Sequence, residues 1–359
     1  MSIGTLPNEI ISQWIYKKQS KVCKRWRQIW YHKTTYLVYT SKNMKYKGYQ
    51  VVPLGLLIKF KNMVHLELDF MNLALVNMRF DMRPLTLLTQ LQSFIFNTQG
   101  MIQEGVLRSL TNLTRLRCYG EFTVPSSFKY LTKLQDLDIT GKDDPKFSHM
   151  SHLTNLTRLS IARNINIVYS LSLINLTTLI IKSNNVTDHV LQKFTNLTSL
   201  HIHKCDNISD SGIKELTNLV SLRLISLCIN GESLKNLTNL TTVGLQQCPN
   251  IRNDELRPLH HLRYLDISDS PQITGKTIAY LTNLTKLCIC GKENLDHNHL
   301  QKLTNLTDLY LYNCDNGQIH YQELDKLTNL TNLYLDDAQH LSYEKLKRYL
   351  PNLIDLELE

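Results

Sequence analysis

Apolar residues recur along most of the chain in the pattern L-x-x-L-x-x-L-x-L. It begins at Phe60, Leu88, Leu110, Leu131, Leu153, Leu173, Phe194, Leu216, Leu237, Leu259, Leu281, Leu303, Leu327 and Leu350. The last two apolar residues of each unit stand two positions apart, so both side chains lie on one face of a β-strand. The residues between and beside them lie on the other face. The pattern therefore predicts one short strand per unit, with a buried face and an exposed face.

The units follow one another at intervals of 20 to 24 residues from Leu110 onward, which is typical of leucine-rich repeats. One unit cannot bury its own leucines, but stacked units can. Residues 209–216 and 253–259 predict a short helical segment on the other limb of the repeat. We therefore expect an α/β fold, a leucine-rich-repeat solenoid shaped as a curved horseshoe with a parallel sheet on its concave side.

The repeat pattern also predicts the division of the chain. We expect an array of about 14 units over residues 60–359. Residues 36–59 form a linker or an irregular first repeat, in which residues 36–39 read as a strand. Residues 1–35 form a separate helical head.

A polar or sulfur-containing residue follows several of the predicted strands. Cys205, Cys248 and Cys314 occupy this position, and other units have Asn164, Asn184 or Ser270 there. The pattern resembles the cysteine-containing class of leucine-rich repeat mixed with asparagine-type units. The resemblance implies a buried side chain that bonds backbone groups under the loop. Eight cysteines in 359 residues are also too dilute for a disulfide scaffold, which indicates a reducing compartment.

Charge is concentrated at the start of the chain. Residues 1–50 hold ten Lys and Arg against one acid, Glu9, and the remaining 309 residues hold 30 basic and 30 acidic groups. Nucleic-acid-binding proteins carry a basic patch or stripe, so the neutral body predicts no nucleic-acid partner. No run of about 18 apolar residues occurs, and residues 1–9 lack the regions of a signal peptide. We therefore expect no membrane partner and no secretion.

The head contains two helical patterns. Leu6, Ile10 and Ile11 predict a short helix that Pro7 opens at its first turn. A second pattern has apolar residues on one face and basic residues on the others. That apolar face consists of Val22, Trp26, Ile29 and Trp30.

The head resembles an F-box. That family opens with Leu-Pro-x-Glu and apolar helix positions, and it ends with Val-Cys-Lys/Arg-x-Trp. The matching residues are Leu6, Pro7, Glu9, Ile10, Val22, Cys23, Lys24 and Trp26. The stretch between the two motifs is shorter and more polar than in the family, so the box is shortened and degenerate. Head and repeats together resemble the F-box/leucine-rich-repeat family over nearly the whole chain.

The resemblance implies a function for both parts. In that family the F-box docks on a Skp-type adaptor of a cullin–RING ubiquitin ligase, and the repeats capture the protein to be ubiquitylated. It implies a substrate-recognition subunit without catalysis, a monomer within the ligase complex, located in the cytoplasm or alternatively the nucleus. The adaptor-binding residues that it implies are Leu6, Pro7, Ile10, Trp14, Val22 and Trp26.

Other interpretations of the chain stay open. The head could serve only as a cap over the first repeat, through Val22, Trp26 and Trp30. The basic run 24–27 could be a nuclear-targeting or anionic-surface patch. The frequent opening Leu-Thr-Asn-Leu-Thr also resembles secreted internalin-like bacterial proteins, which leaves a secreted adhesin as a rival.

The exposed positions of the late strands predict a partner-binding site. Tyr is among the residues that protein interfaces favour as anchors. The predicted site is an aromatic and acidic surface on adjacent units, suited to a partner segment with basic and apolar residues. It consists of Tyr264, Asp266, Asp308, Tyr310, Tyr312, Tyr334 and Asp336. The alternative is that these tyrosines only pack across strands.

Catalytic and metal-binding motifs are absent from the sequence. It has no G-x-G-x-x-G, P-loop, G-x-S-x-G or H-E-x-x-H motif. His201 and His203 share one strand face, as do Cys288 and Cys290. The two pairs are four strand spacings apart, about 19 Å, too far to share a zinc ion. We therefore expect no enzyme activity, no metal and no cofactor.

Overall fold

The structure is a computed structural model. It describes residues 35–40, 51–52, 54–69, 79–80, 82–97, 102, 104–119, 126–140, 147–162, 173–182, 186–226, 229–291, 297–312, 319, 321–336, 338 and 340–358. Residues 1–34 of the predicted head, 1–35, lie outside these ranges, and so do all the residues implied to bind the adaptor. The chain divides into two compact units, Met1–Leu176 and Thr177–Glu359.

Unit 1 contains a parallel sheet of short strands in chain order. Its strands are β1 (Tyr36–Thr40), β3 (His65–Asp69), β5 (Ser93–Asn97), β6 (Arg115–Tyr119), β7 (Asp136–Thr140) and β8 (Arg158–Ala162). The short strands β2 (Val51–Val52) and β4 (Arg79–Phe80) pair with each other in a separate parallel ladder. Strand β1 confirms the strand predicted at residues 36–39. Its pairing with β3 brings this early segment into the sheet.

Short helical segments connect the strands of unit 1. Among the described residues of this unit, four are 3-10 helices: Leu54–Lys59, Arg83–Leu87, Ser126–Tyr130 and Phe147–His152. One is an α-helix, α1 (Glu104–Ser109). This alternation of one strand and one short helix is the repeat that the sequence predicts.

Unit 2 continues the same design through parallel strands. Its strands are β9 (Thr178–Lys182), β10 (Ser199–His203), β11 (Ser221–Ile225), β12 (Thr242–Gln246), β13 (Tyr264–Ser268), β14 (Lys286–Cys290), β15 (Asp308–Tyr312), β16 (Asn332–Leu335) and β17 (Asp355–Leu358). Each strand pairs with its neighbours in sequence without a register shift. Equivalent residues of successive repeats therefore lie side by side.

The helical limb of unit 2 consists of short α-helices and 3-10 helices. The α-helices are α2 (Asp188–Leu191), α3 (Asp210–Ile213), α4 (Asn253–Leu256), α5 (Gly275–Ile278), α6 (Tyr321–Leu324) and α7 (Tyr343–Tyr349). The 3-10 helices are Leu234–Asn236 and His297–Lys302. Helices α3 and α4 confirm the helical segments predicted at 209–216 and 253–259, with shorter bounds.

Strand burial follows the predicted period of two. In β11 the second and fourth residues, Leu222 and Leu224, are fully buried, while the other three are partly exposed. Leu216 and Leu219 from the start of the same repeat are buried as well. The core is thus a stack of leucine layers, and each layer is covered by the layers of adjacent repeats.

The polar positions of the Leu-Thr-Asn-Leu-Thr opening join neighbouring repeats. In each of nine repeats the Asn side chain donates a hydrogen bond to a loop carbonyl of the preceding repeat, at 2.8–3.0 Å. The final Thr donates in the same direction, as from Thr285 Oγ1 to the carbonyl of Arg263 at 3.1 Å. These residues serve the fold, because the loop carbonyls need partners where the repeats pack.

The cysteines after the strands are buried, as the resemblance implies. Cys205 and Cys248 are fully buried, and the Cys248 thiol donates to the carbonyls of Gln246 at 3.4 Å and Leu224 at 3.6 Å. Ser270 takes the same position in the next repeat, and its hydroxyl accepts from the Cys248 amide at 3.3 Å. The five cysteines in the described ranges are thiols, without disulfides. Cys314 lies outside the described residues.

Acidic side chains also connect the helical limbs of unit 2. Asp188 accepts hydrogen bonds from the amide of Ser209 at 2.8 Å and from its hydroxyl at 2.5 Å. In the same way Asp210 accepts from the amide and the hydroxyl of Ser233 at 3.0 and 2.7 Å. The Asp188 contact requires a glycine in the next repeat, because a Cβ on Gly212 would overlap Asp188 Oδ1.

We predict opposite stability effects for alanine at two helical glycines. Gly212→Ala should lower the free energy of unfolding by about 1–3 kcal/mol, since the new Cβ displaces Asp188. Gly105→Ala should raise it by about 0.5–1 kcal/mol, because Gly105 has nothing within 4 Å and alanine favours a helix. Urea unfolding followed by circular dichroism measures both. Equal effects of the two substitutions would contradict the role assigned to Gly212.

Candidate functional site

The candidate site lies on one face of the unit 2 sheet. We call this the solvent face: the first, third and fifth positions of strands β9–β17. Strand pairing aligns Tyr264 with Lys286, Lys286 with Asp308, and Tyr310 with Tyr334. Six of the seven predicted partner-binding residues are half-buried or exposed on this face or directly after it, and the seventh, Asp266, is buried. The structure thus brings together residues that lie 72 positions apart in the sequence, from Tyr264 to Asp336.

Tyrosine rings form a continuous surface over the late strands. The ring centroids of Tyr310 and Tyr312 are 6.2 Å apart with nearly parallel planes. The rings of Tyr312 and Tyr334 are closer, at 4.4 Å, and are tilted by 38°. Such ring pairs contribute stabilisation beyond simple burial. We call Tyr310, Tyr312 and Tyr334 the tyrosine patch.

A lysine lies among the aromatic rings at the border of this patch. The Lys286 ammonium is 4.9 Å from the ring centroid of Tyr310 and 5.6 Å from that of Tyr264. Both distances are in the range of cation–π attraction. The solvent face therefore already holds one cation between aromatic rings. This role of Lys286 follows from the strand register and is missing from the predicted site.

Asp308 is held beside the patch by several hydrogen bonds. It accepts from Asn332 Nδ2 at 2.7 Å and from Thr307 Oγ1 at 2.7 Å. Partial burial acts to raise the pKa of Asp308, but these hydrogen bonds and the charge of Lys286 outweigh it and lower the pKa. The carboxylate is therefore charged at neutral pH and fixed in orientation.

Asp266 differs from its predicted role as an exposed contact residue. Its exposed fraction is only 7%, and its Oδ2 accepts from Arg223 at 3.4 Å, Gln246 at 3.4 Å and Tyr264 at 3.5 Å. Arg223 reaches it by crossing strand β12 over Gly244, which has no side chain in the way. A Cβ at Gly244 would lie 3.0 Å from Arg223 Cγ. Asp266 is thus the centre of an internal network that a strand pattern alone does not reveal.

The same network raises the pKa values of neighbouring side chains. Burial, followed by the negative charge of Asp266, raises the pKa of Tyr264 to about 12. The same two causes raise the pKa of the Cys288 thiol to about 12. Cys288 therefore stays a thiol at neutral pH, which is the opposite of an activated cysteine nucleophile.

A cluster of basic residues occupies the early strands of unit 2. Its members are Lys182 on β9, His201 and His203 on β10, and Arg223 on β11. Burial and the charges of Arg223 and Lys182 lower the pKa of His201 from 6.5 to about 4. The His201 imidazole is therefore neutral at pH 7, and its buried Nε2 makes no hydrogen bond to a described residue.

Unit 1 has a charged cluster that is not part of the predicted partner-binding site. Asp136 Oδ2 lies 3.0 Å from Arg115 Nε and 3.3 Å from Arg117 Nη2, and its Oδ1 lies 3.4 Å from Arg158 Nε. The residues come from three adjacent strands. Because the carboxylate is shared among three guanidinium groups, this cluster is a bridge between repeats of unit 1.

Within the described ranges, no group of three or more His, Cys, Asp and Glu side chains could hold a metal ion. In the same ranges no helix has the length and apolar character needed to cross a bilayer.

Comparison with solved structures identifies the architecture. An internalin (inlF) from Listeria monocytogenes str. 4b F2365 aligns over 90% of this chain and 94% of its own, with 20% identity and a TM-score of 0.61. The fold is a leucine-rich-repeat solenoid. The functional domain of InlJ from Listeria monocytogenes, which includes a cysteine ladder, aligns over 83% of this chain and 67% of its own, with 18% identity and a TM-score of 0.50. At these identities the likeness concerns the fold alone.

Comparison at the level of sequence gives no match. No protein-family model matches the chain, and no curated protein matches it. The predicted solenoid is confirmed by the parallel strands and by the solved structures. The F-box resemblance rests on the head residues alone.

We predict that His201 makes the fold sensitive to acid. The unfolded chain binds a proton near pH 6.5 and the folded chain only near pH 4. Between these values the unfolded state holds more protons, so the free energy of unfolding should fall as the pH decreases from 6.5 to 4. NMR titration of the His201 ring should give a pKa near 4, and Arg223→Gln should raise it. An unshifted His201 in the parent would contradict the cluster geometry.

Proposed function

We propose that the chain is a non-catalytic protein-binding scaffold that captures a partner protein on the solvent face of unit 2. The observation that carries this proposal is the tyrosine patch, with the ring contact of Tyr312 and Tyr334 at 4.4 Å. Large aromatic side chains supply much contact area with few rotatable bonds, which makes them effective interface anchors.

The rigidity of the surroundings supports this use of the patch. The fully buried residues Leu309 and Leu311 lie on the core face of β15, on either side of Tyr310 in sequence. Asp308 and Lys286 border the rings through the contacts described above. A partner that binds there finds a surface whose side chains are already ordered, so less conformational entropy is lost on binding.

We predict that the tyrosine patch is needed for capture of the partner. A Tyr312→Ala, Tyr334→Ala double variant of the full chain should lose a partner protein that the parent captures from a cell extract. When that partner is purified, the variant should bind it at least about tenfold more weakly than the parent does. The matched control is Tyr280→Ala, Tyr343→Ala. Those tyrosines are 53% and 43% exposed but lie in the helical limb.

The patch variant and the control variant together distinguish two outcomes. Loss of the partner with the patch variant and retention with the control variant, both folded by circular dichroism, supports the scaffold proposal. Retention of every partner by the patch variant would refute binding through the solvent face of unit 2.

The head of the chain suggests what happens to a captured protein. We propose that the head docks on a Skp-type adaptor of a cullin–RING ligase and that the captured protein is then ubiquitylated in the cytoplasm. The support is the sequence match at Leu6, Pro7, Val22 and Trp26. The solenoid is compatible with this role but equally with a scaffold that has no ubiquitin role.

We predict that the purified full chain binds a Skp-type adaptor in a calorimetric titration. A Val22→Ala, Trp26→Ala variant should lose the binding heat, because both residues belong to the apolar face proposed for adaptor contact. Circular dichroism confirms that the solenoid of the variant is folded. If the folded parent gives no heat, the head has no adaptor role, and the scaffold proposal stands without the ligase.

The rival proposal is an internalin-like surface protein. It is favoured by the fold likeness to internalins and by the Leu-Thr-Asn-Leu-Thr opening. The adaptor titration separates the two, because an adhesin has no reason to bind a Skp-type adaptor. Localisation of the tagged chain in its own cells gives a second test.

A further inference from the structure

The solvent face of unit 2 separates its charges along the array. The nine solvent-face residues of β9–β11 include Lys182, His201, His203 and Arg223 and contain no acid. The three of β12 are uncharged. Among the accessible solvent-face residues of β13 to β17 the acids are Asp308, Asp355 and Glu357, with Asp336 directly after β16, and Lys286 is the base. Asp266 is not among them, because it is buried against Arg223. One end therefore carries the cations Lys182 and Arg223, and the other end is acidic.

The cationic end is able to receive an anionic group. Arg223 is bound to Asp266 by one long contact of 3.4 Å, and its side chain remains 43% exposed. Lys182 is exposed two strands away. The exposed part of a guanidinium group and an ammonium group both attract a carboxylate.

The acidic end is able to receive a cation on an aromatic surface. Lys286 already binds in this way between Tyr264 and Tyr310, which shows that the local geometry accommodates an ammonium group. Further along, Tyr334 pairs with Glu357 on the neighbouring strand, and Asp336 follows Tyr334 by two residues. The ring of Tyr312 lies 4.4 Å from that of Tyr334. A partner arginine or lysine that binds these rings gains both cation–π and ionic attraction.

The two ends are a fixed distance apart. Arg223 lies at the middle of β11 and Tyr334 at the third position of β16, and the strands between them pair without a register shift. Five strand spacings amount to about 24 Å. An extended peptide crosses that distance in about seven residues.

We propose that the partner presents a bipolar segment, with carboxylates against Arg223 and Lys182 and an arginine or lysine against Tyr312, Tyr334 and Glu357. The segment runs across the strands, and the uncharged strip at Gly244 and Gln246 separates its two charged ends. This inference rests on the proposed function, that the solvent face of unit 2 binds a protein. Charge complementarity at both ends fixes the register of the partner as well as its sign pattern.

The test uses two synthetic fluorescent peptides of the same composition. One carries three Glu, about seven neutral residues including Leu and Ser, and three Arg in blocks, and the other has the same charges interleaved. Fluorescence anisotropy with the full chain should show the block peptide binding at least about fivefold tighter at low salt, with the difference shrinking as salt is added. Equal binding, or no binding by the block peptide, would overturn the inference.

Charge-reversal variants test where the two charged ends of the block peptide bind. Lys182→Glu and Glu357→Lys change exposed residues at opposite ends, and each should abolish the preference for the block peptide. Lys235→Glu and Glu232→Lys make the same charge changes at exposed positions outside the solvent face and should keep the preference. If the control variants lose it as well, net charge explains the binding and the inference fails.

Failure of the bipolar segment can be distinguished from failure of the scaffold proposal. If the peptides show no preference but Tyr312→Ala, Tyr334→Ala still loses the captured partner, the scaffold proposal stands and the bipolar segment is refuted. If the patch variant keeps its partner, both fail.

Discussion

Each repeat depends on its neighbours to bury its leucines. A strand such as β12 has only two inward-facing apolar residues, Val243 and Leu245, and both are fully buried because β11 and β13 stack against it. No single repeat has a core of its own, so stability accumulates through the interfaces between repeats. The requirement that successive strands stack in register governs every other feature of the two units.

The polar residues of the repeat also serve the stacking of successive repeats. Stacking brings the loop carbonyls of adjacent repeats against packed surface, where they need hydrogen-bond partners. The Asn and Thr side chains of the Leu-Thr-Asn-Leu-Thr opening supply these bonds in repeat after repeat, as Asn283 does for the carbonyl of His260 at 2.8 Å. Residues that form Asn-x-Thr triplets in the sequence are therefore part of the solenoid itself.

Register also creates the surface that we propose binds a partner. Once the core face is filled, the alternate positions of each strand form rows that run across the sheet, so residues from several repeats lie side by side. The row of third positions contains Arg223, Gly244, Asp266, Cys288 and Tyr310 in order. A glycine in this row lets one side chain cross a strand, and the crossing removes Asp266 from the accessible surface. Function in such a fold depends on which residue stands beside which across the sheet.

The repeat, the strand positions and the burial of alternate residues follow from the amino-acid sequence alone, because a period near 22 and a spacing of two are direct consequences of the repeating backbone. The repeat pattern also indicated the solvent-face position of Tyr310, Tyr312 and Tyr334. The buried position of Cys205 and Cys248 was implied by the resemblance to cysteine-containing leucine-rich repeats.

Which of those residues contact one another depends on the three-dimensional packing of the repeats. The burial of Asp266 depends on Arg223, which is 43 positions away, and on the absence of a side chain at Gly244. The place of Lys286 between two tyrosines, and the shift of the His201 pKa, likewise depend on side-chain direction across strands. A pattern along one strand carries no information on these contacts, because they form perpendicular to the chain and depend on distances between side chains of different repeats.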